Sequence, residues 1–225
     1  LDNSEDGDGI FNLYNSLIAN NKAFARVVDT SVTGGTHYAR VRGGGLYLDE
    51  AVKATLINVT VADNKLETDP TKSNVKSGAK DTKVYQEGAG FYVTKATLDL
   101  YNSILSGNQK KKWDDKADEN KWVDSTIESD HPKSIDILHT LYDEEGLNYT
   151  NPTCVQGEAE FVGENDYRQK STSPGVDKGD NRLPKAYSDF DLAGNTRVQN
   201  TIDWGAYEIS VSPDAKGIVY LKKGG

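Results

Sequence analysis

Hydrophobic positions along the chain fall in short clusters, and the clusters repeat. The segments LYNSLIANN (13–21), LINVTVADN (56–64) and LYNSILSGN (100–108) are three copies of one pattern. Asn15, Asn58 and Asn102 are 43 and 44 residues apart, and Asn21, Asn64 and Asn108 keep the same two spacings. A glycine-led apolar run precedes each copy: Gly43 to Leu48, Gly88 to Val93 and, more weakly, Gly7 to Phe11. Within the copies Leu56, Asn58 and Thr60 alternate with Ile57, Val59 and Val61, the two-residue period of a strand. The dominance of Val, Ile, Thr, Tyr, Asn and Gly excludes a helical reading of these segments.

The period divides into two parts. Gly43 to Asn64 is 22 residues and Gly88 to Asn108 is 21, whereas the polar stretches 22–42 and 65–87 carry no sustained periodicity. The unit is therefore a coil of two or three short strands, with a loop of roughly 20 residues leaving the stack at one corner. Short β coils at a fixed period predict an all-β solenoid, each coil bonded to the next at about 4.8 Å. The first coil is short: Gly9 lies 12 positions before Asn21, against 19 from Gly45 to Asn64 and 18 from Gly90 to Asn108.

The asparagines fit the corners of such a stack. Asn tolerates a left-handed backbone, and its amide both donates and accepts. Asn15, Asn58 and Asn102 at one corner, and Asn21, Asn64 and Asn108 at another, are expected to form two ladders.

Composition adds limits. The 225 residues carry a net charge of −9, from 35 acidic and 26 basic side chains, so the basic stripe that nucleic acid requires is missing. The one dense basic run, Lys110-Lys111-Lys112, is followed by Asp114, Asp115, Asp118 and Glu119 and reads as a solvated loop. No run approaches the roughly 18 apolar residues of a membrane helix. The chain opens mid-pattern at Leu1 without a signal peptide, as expected of a mature fragment or of an excised piece. Cys154 is the single cysteine, which excludes an internal disulfide and a thiolate zinc site.

These residues resemble the right-handed parallel β-helix repeat of pectate-lyase-like and polymorphic outer-membrane proteins. NSILSGN (102–108) is similar to that family's last full coil, and GENDYRQKSTSPGVDKGDN (163–181) to its terminal element. DFDLAGNTRVQNTIDWGAYE (189–208) resembles the closing motif of the choice-of-anchor Q domain of bacterial surface proteins, with Trp204 where the family usually has an aliphatic residue. The resemblance implies a right-handed single-stranded parallel β-helix with long inserted loops and a C-terminal cap. Coils would fill about 7–109, and a loop and cap about 110–208, with Ile202, Trp204, Ala206 and Tyr207 covering the open end of the core. After a linker at Ser212-Pro213-Asp214, GIVYLKKGG (217–225) resembles the opening strand of a neighbouring module, so 209–225 reads as linker and opening strand.

The function so implied is a non-catalytic, exported bacterial surface module, an adhesin-like or glycan-contacting stalk. The other reading is a polysaccharide lyase or glycoside hydrolase of the pectate-lyase-like class, which would need carboxylates on one strand face beside a base. Asp49, Glu50, Asp63 and Asp99 lie on or beside the coil strands but share no register, so no catalytic residue is assigned. Trp113 and Trp122 flank the charged segment after the third coil. They would either stack on sugar rings or pin that segment to the wall. Calcium is the one cofactor the carboxylates suggest, at Asp6 and Asp8 (with Asp2 and Glu5) or at Asp189 and Asp191. Neither group has EF-hand spacing, and Asp-Gly runs also simply make turns. His37, His131 and His139 have no ligand spacing, and neither a nucleophile elbow nor a phosphate loop occurs.

Overall fold

A computed structural model describes residues 9–26, 29–30, 36–50, 52–69, 74–75, 81–114, 119–183 and 189–209. The described residues are all-β and form no helix, so no helix is long and apolar enough to cross a membrane. Four successive passes of the chain lie side by side. The first holds β1 (Gly9–Ala19), β2 (Lys22–Arg26), β3 (Asp29–Thr30) and β4 (Thr36–Arg42). The second holds β5 (Leu46–Leu48), β6 (Val52–Ala62), β7 (Lys65–Asp69), β8 (Asn74–Val75) and β9 (Asp81–Glu87). The third holds β10 (Phe91–Thr94), β11 (Thr97–Tyr101), β12 (Ile104–Ser106), β13 (Gln109–Asp114) and β14 (Glu119–Asp124). The fourth holds β15 (Ile127–Asp130), β16 (Ser134–Leu138) and β17 (Leu141–Tyr142). Three short strands follow: β18 (Val155–Gln156), β19 (Phe161–Gly163) and β20 (Asp166–Gln169).

Pairing between passes is parallel. β1, β6, β11 and β16 form one curled sheet, which β12, β17 and β18 continue beyond the bend of β6, while β5, β10 and β15 form a second. The bend is made by Asn58, whose φ is +56°. It shifts the inward phase by one residue: Val52, Ala54 and Leu56 face the core before it, Val59 and Val61 after it. The uninterrupted alternation read from 56 to 61 is broken there, because a left-handed corner turns the chain. Asn15 and Asn102 repeat the corner at φ +45° and +48°. The core runs through the passes from Leu56 and Leu100 to Ile127, Ile135 and Ile137. Glycine is required where β9 turns into β10, since Gly88 has φ +67° and a Cβ there would lie 1.9 Å from the Phe91 carbonyl oxygen.

Three features differ from the sequence expectation. First, NSILSGN does not end the stack: β15–β17 add a fourth pass and β18 pairs in parallel with β17, so parallel pairing continues past 109 to 156. The offset falls from 44 to 37 between β12 and β17 (Ile104↔Leu141) because β13 and β14 fold back on each other as a short antiparallel hairpin. A shorter excursion brings the chain back sooner, which hides the fourth copy from a fixed-period search. Second, the stretches 22–42 and 65–87 are not simple loops. β2 pairs with β7, β7 with β13, and β4 with β9, in a two-sheet flange projecting from the corner beside Asn64. Gln86 ties its two layers, donating to Thr68 Oγ1 at 2.8 Å and to the Lys111 carbonyl at 2.7 Å.

Third, the closing segment 157–209 lies along the flank of the passes, where the sequence suggests a cover over the end of the core. It touches all four passes. Asn15 donates to the Phe190 carbonyl, Tyr167 to Asp63, Asn102 pairs with the backbone of Asp180, and Trp204 packs on Ile104 and Leu141. The outward side of the second and third passes carries Thr60 and Ile104, a surface that needs covering, and Gly205 (φ +87°) brings the backbone close enough to do it. The core beyond the fourth pass is met by Leu147 and Cys154, which pack against the same apolar cluster.

Candidate functional site

The flange and the β5–β10 sheet together present a row of tyrosines and arginines. Tyr38, Arg40 and Arg42 occupy alternate positions of β4, hence one face. In register beside them on β9 are Tyr85, opposite Arg40, and Glu87, opposite Arg42. Tyr47 and Tyr92 are partners in the next sheet. Tyr38 stacks on Tyr85 with centroids 6.3 Å apart, and Tyr47 on Tyr92 at 5.6 Å. The Arg40 guanidinium lies 4.7 Å from the Tyr85 ring centre, and that of Arg42 4.3 Å from Tyr92. Arg42 also donates to Glu87 at 2.5 Å. Tyr47 donates to Asp49 at 2.9 Å, and burial followed by that bond raises its hydroxyl pKa. Tyr38 is 61% exposed and Tyr47 44%, so the row offers two open rings flanked by guanidinium groups.

Trp122 is 37% exposed and already engaged, with the Lys65 and Lys111 ammonium groups 5.1 and 5.8 Å from its ring centre. Glu67 in turn pairs with Lys22 and Lys111, which holds the Glu67 carboxyl below its ordinary range. The Trp113 side chain, Asp6 and Asp8 (with Asp2 and Glu5), the His37 side chain and residues 210–225 lie outside the described residues. Trp113 is opposite Asn120 in the hairpin, across from the strand that carries Trp122.

The two asparagine rows differ. Asn21 Nδ2 donates to Asn64 Oδ1 at 2.8 Å, and Asn64 Nδ2 to Asn108 Oδ1 and the Ile18 carbonyl, both at 2.9 Å. In the other row Asn58 donates to Asn15 at 3.1 Å, but Asn102 donates to the Asp180 carbonyl and accepts from the Asp180 N–H.

In the closing segment Asp191, Asp203 and Glu208 surround the buried Arg197. Asp191 accepts from the N–H groups of Ala193, Asn195 and Glu208, and from the Asn195 amide, at 2.7 to 3.0 Å. Asp203 accepts from the backbone of Asp177 and Ile209, both at 2.7 Å. Arg197 donates to the carbonyls of Asp203 and Gly205 at 2.7 Å, with its Nε 3.8 Å from Glu208. Burial, then the neighbouring Asp203 charge, pushes the Glu208 pKa up to about 8. These bonds describe a folded loop whose acids are spent on backbone N–H groups. Asp189 is exposed, and its carbonyl accepts from the Arg197 N–H. Among the described residues no group of three His, Cys, Asp or Glu side chains is arranged to hold a metal ion. Tyr207 and Glu208 line a hollow of about 330 Å³ with Arg168, Gln169 and Asn195.

No protein-family model, curated protein or solved structure matches this chain.

The carboxylates expected on coil strands mostly have local partners: Asp49 holds Tyr47, Glu50 pairs with Lys95 at 2.6 Å, and Asp63 holds Tyr167. Asp99 differs. It lies in register between Thr55 and Asp136 on parallel strands. Burial is the main cause of its raised pKa, which the Lys53 charge opposes and the Asp136 charge reinforces. Sequence reasoning missed Asp136 because the fourth pass is offset by 37 residues. It missed Arg40, Arg42, Tyr85 and Glu87 because 36–42 and 81–87 were read as loop. The usable signal was the every-second-residue placing of aromatic and charged side chains in both stretches.

Proposed function

We propose that the chain is a section of a right-handed single-stranded parallel β-helix, exported to a bacterial surface, that contacts glycans without cleaving them. The closing motif's resemblance to choice-of-anchor Q domains supports the location, and the parallel offsets of 43 to 45 residues between passes support the coil. The observation that carries the function is the tyrosine–arginine row on the flange. Two exposed rings supply faces for sugar stacking, and the exposed Arg40 adds a cation that favours acidic sugars. Trp122 serves the hairpin, held beneath two lysines.

A glycan array tests this reading. A Tyr38→Ala, Tyr47→Ala double variant is expected to lose at least about tenfold in glycan binding, as removal of two stacking faces should. A Trp113→Ala, Trp122→Ala double variant should retain it. The opposite ranking would move the contact to the hairpin, and the absence of any retained glycan would sink the function. The polysaccharide-cleaving alternative rests on Asp99, Asp136 and Lys53. Chain cleavage in a retained glycan that stops in Asp99→Asn would replace the binding reading with the enzymatic one.

A further inference from the structure

One of the two asparagine rows is interrupted where the closing segment docks. Asn58 of the second pass donates to Asn15 of the first at 3.1 Å. Continued in the same sense, Asn102 of the third pass would donate to Asn58 Oδ1. The register places the two side by side, since Ile57 faces Tyr101 before the corner and Thr60 faces Ile104 after it. Asn102 is turned away instead. Its amide donates to the Asp180 carbonyl at 3.1 Å and accepts from the Asp180 N–H at 2.9 Å. Asn58 Oδ1 is left buried without a partner. The other row has no such gap, because Asn64 reaches both Asn21 and Asn108. A buried amide oxygen without a donor is destabilising, and here docking of the closing segment leaves it so.

The closing segment carries further unmatched donors. Arg197 Nε and Nη1 and Trp204 Nε1 are buried and have no partner. Crossing from the segment to the passes are the Gly205 N–H to the Asn102 carbonyl at 2.8 Å and the Ala206 N–H to Thr60 Oγ1 at 3.0 Å. Asn15 reaches the other way, to the Phe190 carbonyl at 3.0 Å. The packing of Trp204 on Ile104 and Leu141 holds the segment down. The passes rely on none of these contacts, because they pair with one another along their strands. Lifting the segment therefore breaks no bond between passes, and it frees the Asn102 amide to take the vacant acceptor on Asn58.

We propose that the closing segment is a releasable strap that lifts while the passes stay stacked, and that Asn102 is its latch, exchanging Asp180 for Asn58. Native-state hydrogen exchange of the full chain tests this. The reporters are the amides of Asp180, Gly205 and Ala206, which donate across to the passes. The reference is the amides of β11, held between β6 and β16. In the wild type, corrected for intrinsic rates, the reporters should exchange at least about tenfold faster than the reference. Asn58→Gly keeps the left-handed corner. It removes the vacant acceptor from the docked state and the second partner of Asn102 from the released one. The reporters should then slow by about tenfold relative to β11, the worth of roughly one hydrogen bond. Asn15→Gly loses the same Asn58–Asn15 bond but also the hold on Phe190, and should speed them. Reporters that exchange no faster than β11 in the wild type, or that do not slow in Asn58→Gly, overturn the proposal. Slowing in both variants overturns it too, since the shared bond and not the latch would then be the cause.

Discussion

Trp204→Ala will lower the stability of the chain by about 3–5 kcal/mol, the usual cost of deleting a buried indole from a packed site. The ring is buried and packs against Ile104 and Leu141, both fully buried on the outward side of the third and fourth passes. Its backbone is fixed as well: the Trp204 N–H donates to the Gly175 carbonyl, and its carbonyl accepts from the Gln169 amide at 3.0 Å. The loss therefore combines transferred apolar surface with a cavity that the anchored backbone hinders from collapsing. For a domain stabilised by about 5–15 kcal/mol the fraction is large. Equilibrium unfolding in urea, followed by far-ultraviolet circular dichroism, measures it. A loss below about 1 kcal/mol would mean that the closing segment does not cover this flank.

The second large effect is expected at Asn64. Its side chain is buried and makes contacts on both sides, accepting from Asn21 and donating to Asn108 and to the Ile18 carbonyl. Asn64→Ala leaves an amide donor, an amide oxygen and a carbonyl without that partner, and is expected to cost about 2–4 kcal/mol. Asn15→Ala, at the half-buried first rung of the other row, should cost about 1 kcal/mol or less because water can replace the lost bonds. The same urea titration compares the two. Equal losses would contradict a buried ladder whose strength depends on its middle rung.

How far the sequence revealed this architecture depended on how each element is held. The 43- and 44-residue spacings of Asn21, Asn64 and Asn108 were legible because the ladder needs the same residue at each rung. The left-handed corners at Asn15, Asn58 and Asn102 were legible for a similar reason, since few side chains tolerate that backbone. The fourth pass was not, because its corner position is His139 (φ +48°) and its offset is shortened by the β13–β14 hairpin. The flange strands were hidden by their polar surfaces: Arg40, Arg42 and Glu87 satisfy one another or stack on tyrosine, so no apolar alternation marks them. The flank position of Trp204 was illegible for a different reason. An apolar residue in a closing motif says that it covers something, and only the outward-facing Ile104 and Leu141 say what.

The tyrosine row and both asparagine rows depend on the in-register stacking of parallel coils. Disulfide formation between Tyr47→Cys and Tyr92→Cys, in a Cys154→Ser background, tests it most directly. Register partners on adjacent parallel strands lie about 4.8 Å apart, within the roughly 4.4–6.8 Å between Cα atoms that a disulfide spans. Mass spectrometry without reductant should show the intramolecular bond in the folded monomer, and no bond when Thr94→Cys replaces Tyr92→Cys as the partner of Tyr47→Cys. Equal crosslinking of both pairs, or of neither, would contradict the stack.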